Sequence, residues 1–452
     1  MNIIIVGCGK VGLALAAELN EENNNVTVID VNAQAVKNAT DRYDVMGVVG
    51  NGATQRTLQE AGVENADLLI AVTSADELNL LCCMIAQKSA NCQTIARIKN
   101  PEYSVDAPYL KDELGLAMII NPEYTAAEEI ARVLRFPSAI SIERFAKGKV
   151  ELLKFRLPES SPVVGLTVRE AMEKLKADFL VCTVERGDQA FIAKADFVFE
   201  ANDRLSIVAS PRNAYEFFKK IKHNLQPVKD AIVVGGGEIA HYLCDILQRT
   251  GIKLKVVESD YKVCEEFSVR HPEVTVIHAD ASDEQVLLEE GVENCGAFIA
   301  VSDLDEENIF LSLYARSKGD AKLVTKIDHL EHHDVIRSLN LDTLINPKTL
   351  TAESIVRYVR AMGNANGSSS VEALYSIIPG KAVATEFIVK ENSPVCGVML
   401  KDIKLIDNVL IAAILRGKEV VIPHGNDVIC AGDTVVVVSE DVPLNDVVDI
   451  LR

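Results

Sequence analysis

Apolar positions along this chain switch period in a regular way. Ile3-Ile4-Ile5-Val6 is an unbroken apolar run, as expected of a strand buried on both faces of a parallel sheet. Glycines interrupt it, and LALAAEL follows with apolar residues at helical spacing. A second strand, NVTVID, closes on Asp30. Short apolar strands alternating with helical segments predict βαβ units and a doubly wound parallel sheet. The helical pattern stops at Phe136-Pro137. Short strand-like segments then follow, ELLKFRL, FLVCTVERG and DRLSIVAS, with turn-forming Pro, Gly, Asn and Asp between them.

The whole arrangement then recurs. IIIVGCGKVGLALAAEL returns as AIVVGGGEIAHYLCDIL from Ala231, with 235 − 7 = 228 between Gly7 and Gly235 and 258 − 30 = 228 between Asp30 and Glu258. AGVENADLLIAVTSADELN (Ala61 to Asn79) matches EGVENCGAFIAVSDLDEEN (Glu290 to Asn308), where 290 − 61 = 229 marks one inserted residue. Arg97 falls opposite Lys326, and NPEYTAAEEIARVLR (Asn121 to Arg135) opposite NPKTLTAESIVRYVR (Asn346 to Arg360). Collinear matches of this extent identify a tandem duplication. The expected fold class is α/β, with two Rossmann-like doubly wound parallel-sheet domains, each followed by a small α+β domain. The expected boundaries are 1–137, 138–226, 227–362 and 371–452. GNANGSSS (Gly363 to Ser370) reads as a flexible linker. In the last domain LIAAILRG, DVICAG and DTVVVVS read as strands, and an apolar helix is expected near Val442 to Leu451.

Composition narrows the function. Of 452 residues, 46 are Lys or Arg and 66 Asp or Glu, a net charge of 46 − 66 = −20. Such a surface repels phosphate backbones and anionic lipid, so nucleic acid is not an expected partner. No apolar run approaches the roughly 20 residues of a membrane-spanning helix, so direct membrane insertion is not expected. The N-terminus lacks the charged region of a signal peptide, and the chain is expected to begin here and stay in the cytoplasm. The 10 cysteines include no C-x-x-C pair; most lie in apolar stretches and read as small buried hydrophobes in a reducing compartment.

The glycine pattern carries the chemistry. Gly7-Cys8-Gly9-Lys10-Val11-Gly12 stands between a strand and a helix, the context that makes G-x-G-x-x-G specific. Gly7 permits the tight turn, Gly9 lets backbone N–H groups approach a pyrophosphate, and Gly12 lets helix pack on strand. Asp30 is positioned to accept hydrogen bonds from ribose hydroxyls and to repel a 2′-phosphate, which favours NAD(H) or an adenosine nucleotide over NADP(H). Read otherwise, Asp30 caps a strand-end turn. The second copy reads Gly235-Gly236-Gly237-Glu238-Ile239-Ala240, with Glu258 as the acid. Glu238 stands opposite Lys10, and a carboxylate there weakens phosphate binding unless it points to solvent. Asn51-Gly52-Ala53 and Asp280-Ala281 follow the third strands, where adenine would lie. Thr73-Ser74 and Ser302-Asp303 end the fourth strands, and Arg97 and Lys326 end the fifth. Arg97 either reaches a phosphate or forms a plain surface ion pair.

No His/Asp or Tyr/Lys constellation for hydride transfer is evident, so no catalytic residue is expected. The histidine cluster DHLEHHD (Asp328 to Asp334) has no partner cluster and reads as a solvated helix start, so no metal is expected. Two rivals stay open: an NAD-dependent oxidoreductase with a duplicated cofactor domain, and an oligomerisation scaffold with vestigial sites.

With both fingerprints, both terminal acids, the xGVENAD–AVT block and the NPE-type crossover helix, the chain resembles the TrkA family, the cytoplasmic RCK/KTN regulatory subunits of Trk-type potassium uptake systems. The last domain carries that family's C-terminal pattern: Ile414-Leu415-Arg416-Gly417, Ile422-Pro423-x-Gly425 and Gly432-Asp433-Thr434-Val435. The earlier small domain has Asn202-Asp203 where Gly-Asp is usual. The resemblance implies a non-enzymatic gate controller that binds NAD(H) and ATP or ADP in its large domains. It also implies a homo-oligomer, a dimer or tetrameric ring, paired partly through the crossover helices (Thr125 to Arg135 and Leu350 to Arg360). The implied partner is a membrane potassium-translocating subunit of the Trk type, with the chain peripheral on the inner face of the cell membrane.

Overall fold

The computed structural model describes residues 1–22, 24–100, 103, 106–136, 139–145, 149–176, 179–221, 228–248, 250–328, 339, 341–365, 371–378, 380–417, 419–440, 444 and 446–452. The chain forms two compact units, one from Met1–Ala131 with Lys229–Val356, the other from Arg132–Val228 with Arg357–Arg452.

The first part of the chain runs β1 (Asn2–Val6), α1 (Lys10–Glu21), β2 (Asn25–Asp30), α2 (Ala33–Arg42), β3 (Met46–Val49), α3 (Gln55–Glu60), β4 (Leu68–Ala71), α4 (Asp76–Ser89), β5 (Gln93–Arg97), α5 (Ala107–Glu113), β6 (Met118–Ile120) and α6 (Pro122–Arg135). The strands pair in parallel, in the order β3-β2-β1-β4-β5-β6. The apolar run Ile3 to Val6 lies at the centre, each residue 3% exposed or less. Burying each such side chain contributes roughly 1.5–3 kcal/mol. The order reverses between β1 and β4, so a crevice opens at the carboxyl ends of the strands.

A small antiparallel domain follows: β7 (Ser141–Phe145), β8 (Val150–Arg156), α7 (Val168–Leu175), β9 (Phe179–Arg186), β10 (Gln189–Ile192), β11 (Arg204–Ala209) and α8 (Pro211–Lys220). Its order is β10-β9-β11-β8-β7. The helices cover one face, where Phe155, Phe179, Phe217 and Phe218 are buried.

The second half repeats the large domain as β12 (Asp230–Val234), α9 (Glu238–Leu247), β13 (Lys253–Glu258), α10 (Tyr261–Arg270), β14 (Thr275–His278), α11 (Glu284–Glu289), β15 (Ala297–Ala300), α12 (Asp305–Lys318), β16 (Lys322–Lys326), β17 (Thr343–Ile345) and α13 (Pro347–Ala365). The parallel order β14-β13-β12-β15-β16-β17 is that of the first sheet. Strands β18 (Val371–Ile378), β19 (Ala382–Ile388), β20 (Val409–Arg416), β21 (Glu419–Val421) and β22 (Thr434–Glu440) then pair as β18-β19-β22-β20-β21, the topology of the first small sheet. Within the second unit, Leu152 and Val208 share one buried cluster with Ala384, Ala412, Val436 and Val438.

Three local expectations are corrected. The segment DVICAG makes only isolated bridges, Cys396 to Ile429 and Met399 to Val428, because its flanking turns leave no length for a ladder. Among the described residues of the expected closing helix, Val447–Ile450 form a 3-10 turn and Leu451 bridges to Leu405, while residues 441–443 and 445 lie outside the described residues. Gly363 to Ala365 continue α13 rather than opening a linker, and residues 366–370 lie outside the described residues.

The departure at Asn202 has a simple account. Asn202 adopts φ 68° and Gly432 φ 81°; asparagine tolerates this left-handed region better than other side chains. The neighbouring carboxylates then act alike. Asp203 receives Arg186 Nε and Nη2, both at 2.8 Å, and Asp433 receives Arg416 Nε at 3.0 Å and Nη2 at 2.8 Å.

Candidate functional site

Both glycine turns need glycine at their first position. Gly7 has φ +107° and Gly235 φ +102°, and a Cβ on Gly7 would lie 3.0 Å from the Thr73 nitrogen. Gly9 and Gly237 serve a different purpose: a Cβ there meets nothing within 4 Å, so each faces open space at a helix start. Neither helix has a side-chain cap. Their first N–H groups and positive dipole ends are left for a ligand's oxygens. At Gly12 a Cβ would sit 1.8 Å from the Gly7 carbonyl oxygen; the second copy places Ala240 there, 1% exposed.

The terminal acids brace these turns. The Cys8 N–H donates to Asp30 Oδ2 at 2.7 Å and the Asn32 N–H to Oδ1 at 2.8 Å. In the second half the Gly236 N–H donates to Glu258 Oε2 at 2.7 Å and the Asp260 N–H to Oε1 at 2.8 Å. The capping reading of Asp30 is therefore observed, and it is compatible with ribose binding, since carboxylate oxygens accept more than one hydrogen bond. Burial, with Asp30 adding to it, pushes the Cys8 thiol up to about 12. Cys8 is thus a neutral packing group.

The two turns open on one cavity of about 820 Å³ in the first unit. Of the residues singled out from sequence, Gly7, Gly9, Lys10, Val11, Asp30, Asn51, Gly52, Thr73, Ser74 and Arg97 line it from the first half, and Gly236, Gly237, Glu238, Ile239, Asp303 and Lys326 from the second. Cys8, Gly12, Ala53, Gly235, Glu258, Asp280 and Ala281 are not on its wall. Asp280 instead accepts the Ser282 N–H at 2.8 Å.

Arg97 is no plain surface pair. Its Nη2 lies 3.0 Å from Glu123 Oε1, with the side chains 17% and 24% exposed. Arg97 Nε and Glu123 Oε2 are buried without a hydrogen-bond partner, which is unusual for buried polar atoms and marks a place where a ligand or water would bind. Lys326 is tied to Asp303 Oδ1 at 3.0 Å.

Glu238 is exposed. It lies on the cavity wall, and its charged neighbours are Arg270 together with Glu123, Lys99 and Asp76 of the first half. Desolvation raises its pKa above the ordinary carboxylate value; Arg270 opposes this, Glu123 adds to it, and Lys99 and Asp76 act in opposite senses. Its charge bears on the opposite half's cleft as well as on its own.

Several site residues escaped sequence reasoning. Asn79 is fully buried and accepts the Thr73 N–H at 2.8 Å while donating to the Arg97 carbonyl at 2.9 Å. Asn308 repeats this between Ser302 and Lys326. Asp76 accepts the N–H groups of Lys99 and Asn100, and Asp305 that of Asp328. Recurrence of both residues at offset 229 (308 − 79, 305 − 76) was the available signal. Glu123, Lys348 and His241 also line the cavity. His329, His332 and His333 lie outside the described residues, and among those described no group of three or more His, Cys, Asp or Glu is arranged to hold a metal. No described helix is long and apolar enough to cross a membrane.

A doubled Rossmann sheet with two glycine turns on one cavity, each sheet followed by a small antiparallel domain, defines a tandem nucleotide-binding regulator of potassium transport. The TrkA-N domain matches residues 3–122 and 231–347, and the TrkA-C domain residues 152–222 and 384–452. The chain belongs to the TrkA family. It is 31% identical to the Trk system potassium uptake protein TrkA homolog 1 of Methanosarcina mazei, over 97% of both chains. It is 30% identical to the Trk system potassium uptake protein TrkA of Halomonas elongata, over 96% of this chain and 95% of that one. Among solved structures, the GsuK channel bound to NAD aligns with a TM-score of 0.63 at 16% identity, over 97% of this chain and 77% of that one. The GsuK RCK domain aligns with the same TM-score and identity, over 97% and 92%. These two likenesses concern the fold.

Proposed function

We propose that this chain is the nucleotide-sensing regulatory subunit of a Trk-type potassium uptake system, without catalytic activity of its own. It binds NAD(H) and ATP or ADP at its glycine turns. It assembles as a homo-oligomer, a dimer or tetrameric ring, and docks on the cytoplasmic face of a membrane potassium-translocating subunit. The observation that carries this reading is the shared cavity, on which both uncapped helix starts open beside Asp30 and the half-buried Arg97–Glu123 pair. Relatives named as Trk potassium uptake proteins support the transport context over nearly the full length. A ligand regulates only through different affinities for two states, and two unlike nucleotides sharing one cavity supply such a difference.

Calorimetric titration with NAD⁺, NADH, ATP, ADP and NADPH tests the reading, alongside capture on membranes bearing a Trk-type translocating subunit. Binding of the first four, exclusion of NADPH and capture on those membranes are expected. Absence of both binding and capture would overturn the proposal. Turnover of NADH with a simple carbonyl compound would favour the oxidoreductase instead.

A further inference from the structure

The two halves place unlike charges at equivalent positions around the shared cavity. Lys10 begins α1 and Glu238 begins α9, while Glu123 and Lys348 stand one residue inside α6 and α13. All four line the cavity. Beyond β5 and β16 stand Lys99 and Asp328, which are again opposite in charge.

Each helix start faces the other half. Glu238 lies within electrostatic reach of Glu123, Lys99 and Asp76, all of the first half. Lys348 has Asp328, Asp305 and the first half's Lys10 as charged neighbours. Glu238 therefore bears on the strand ends of the first sheet, and Lys10 on the start of α13 in the second half. Lys326 and Lys348 are already engaged, with Asp303 at 3.0 Å and with the Asp328 carbonyl at 2.8 Å. Lys10 is exposed and makes no hydrogen bond or ion pair among the described residues. At the other end two acids, Glu238 and Glu123, share one wall, and Glu123 Oε2 is buried without a partner.

We propose that the two clefts select ligands by charge. The second-half cleft, which Lys10 faces from the first half, takes a nucleoside triphosphate. The first-half cleft, which Glu238 faces from the second, takes a nucleotide lacking a terminal phosphate, such as a dinucleotide. The physical basis is Coulomb interaction in a partly desolvated cavity, where effective dielectric falls well below that of water. A third phosphate extends beyond the helix start that holds the first two, toward the opposite half. At one end it meets Lys10, and at the other Glu238 and Glu123, the latter already paired with Arg97 at 3.0 Å. Burial is the main reason that the pKa of Glu238 is raised, with Arg270 opposing it and Glu123 adding to it. The inference rests on the nucleotide-binding reading above.

The test is titration of the full chain with ATP and with NAD⁺, using two blocking and two charge variants. Gly9→Val and Gly237→Val put side chains into open space at each turn, since a Cβ at either meets nothing within 4 Å. The wild type is expected to bind one ATP, retained in Gly9→Val and lost in Gly237→Val, with the reverse for NAD⁺. Lys10→Ala is expected to weaken ATP binding about ten-fold or more and to weaken NAD⁺ binding by a smaller factor. Glu238→Gln is expected to admit a second ATP, at the first-half cleft. Two equivalent ATP sites, indifferent to both charge variants, would overturn the inference and leave the nucleotide-sensing reading standing, as would loss of ATP in Gly9→Val alone. If the wild type binds neither nucleotide, both readings fall.

Discussion

Tyr242 of the second half accepts a hydrogen bond from Asn121 Nδ2 of the first half at 2.9 Å. Its hydroxyl also donates to the Lys99 carbonyl at 3.0 Å, and its ring meets Tyr124 edge to face at 5.4 Å. The equivalent position in the first half is Ala14 (242 − 228), which makes no such reach. Helix α9, whose start borders the cavity, is thereby fixed to the end of β5 and the entry of α6. Tyr242→Phe keeps the ring contact and leaves an amide and a carbonyl without their partner. The expected cost is about 1–3 kcal/mol, read by urea unfolding of the full chain. An unchanged midpoint would show that water replaces the hydroxyl at no cost.

Asn79 and Asn308 hold the ends of adjacent strands at a fixed spacing, beside the residues that line the cavity. Leucine has nearly the same volume but offers no hydrogen bond. Asn79→Leu is expected to lose about 2–4 kcal/mol of stability, two or more buried backbone groups losing their partners. It is also expected to weaken nucleotide binding at the first-half cleft more than at the second. Asn308→Leu should show the opposite preference. Calorimetry on the two variants provides the check, and equal effects on both clefts would count against the local role.

Gly12→Ala sets a methyl group against the Gly7 carbonyl, 1.8 Å away before any shift. The first turn must move, at an expected cost of about 1–3 kcal/mol, and the first-half cleft should lose affinity. The second half already accommodates Ala240, so Ala240→Gly is expected to cost about 0.5–1 kcal/mol through added backbone freedom in the helix. Thermal unfolding of both variants distinguishes the two cases; a stabilised Gly12→Ala would contradict the packing described.

Lys322 gives the chain an alkaline signature. Burial lowers its pKa from 10.5 to about 8, opposed in part by Asp342. Between those values the unfolded chain holds the proton and the folded chain releases it. Its contribution to stability therefore rises with pH from about 8 to 10.5 and is lost as pH falls through about 8. Lys322→Gln, which places there the type found at Gln93 of the first half, is expected to flatten that slope and raise stability at neutral pH. Urea unfolding across this range measures it, and an unaltered slope would assign the effect to another group.

Much of the fold was legible because its signals are local. The run Ile3 to Val6, the glycines after it and Asp30 lie in one βαβ unit, and duplication supplied each signal twice. The strand-like reading of DVICAG failed because bridge and strand share an apolar pattern; only the distance to the next turn separates them. The site was legible as far as its turns. Asn121 and Tyr242 stand 121 positions apart, and no periodicity encodes their meeting. The bearing of Glu238 on the first half was hidden for the same reason. A helix position specifies which way a side chain leaves its own backbone, and says nothing of which neighbour stands there.

Lys10 and Glu238 occupy one position in two copies of the same fold. Two identical separate chains meeting about a twofold axis must carry the same residue at both ends of the space they enclose. Joining the copies in a single polypeptide removes that obligation, and this chain has taken opposite signs. Its cavity consequently has a head and a tail. A symmetric assembly registers only how many of its equivalent seats are filled; one with distinguishable ends also registers which.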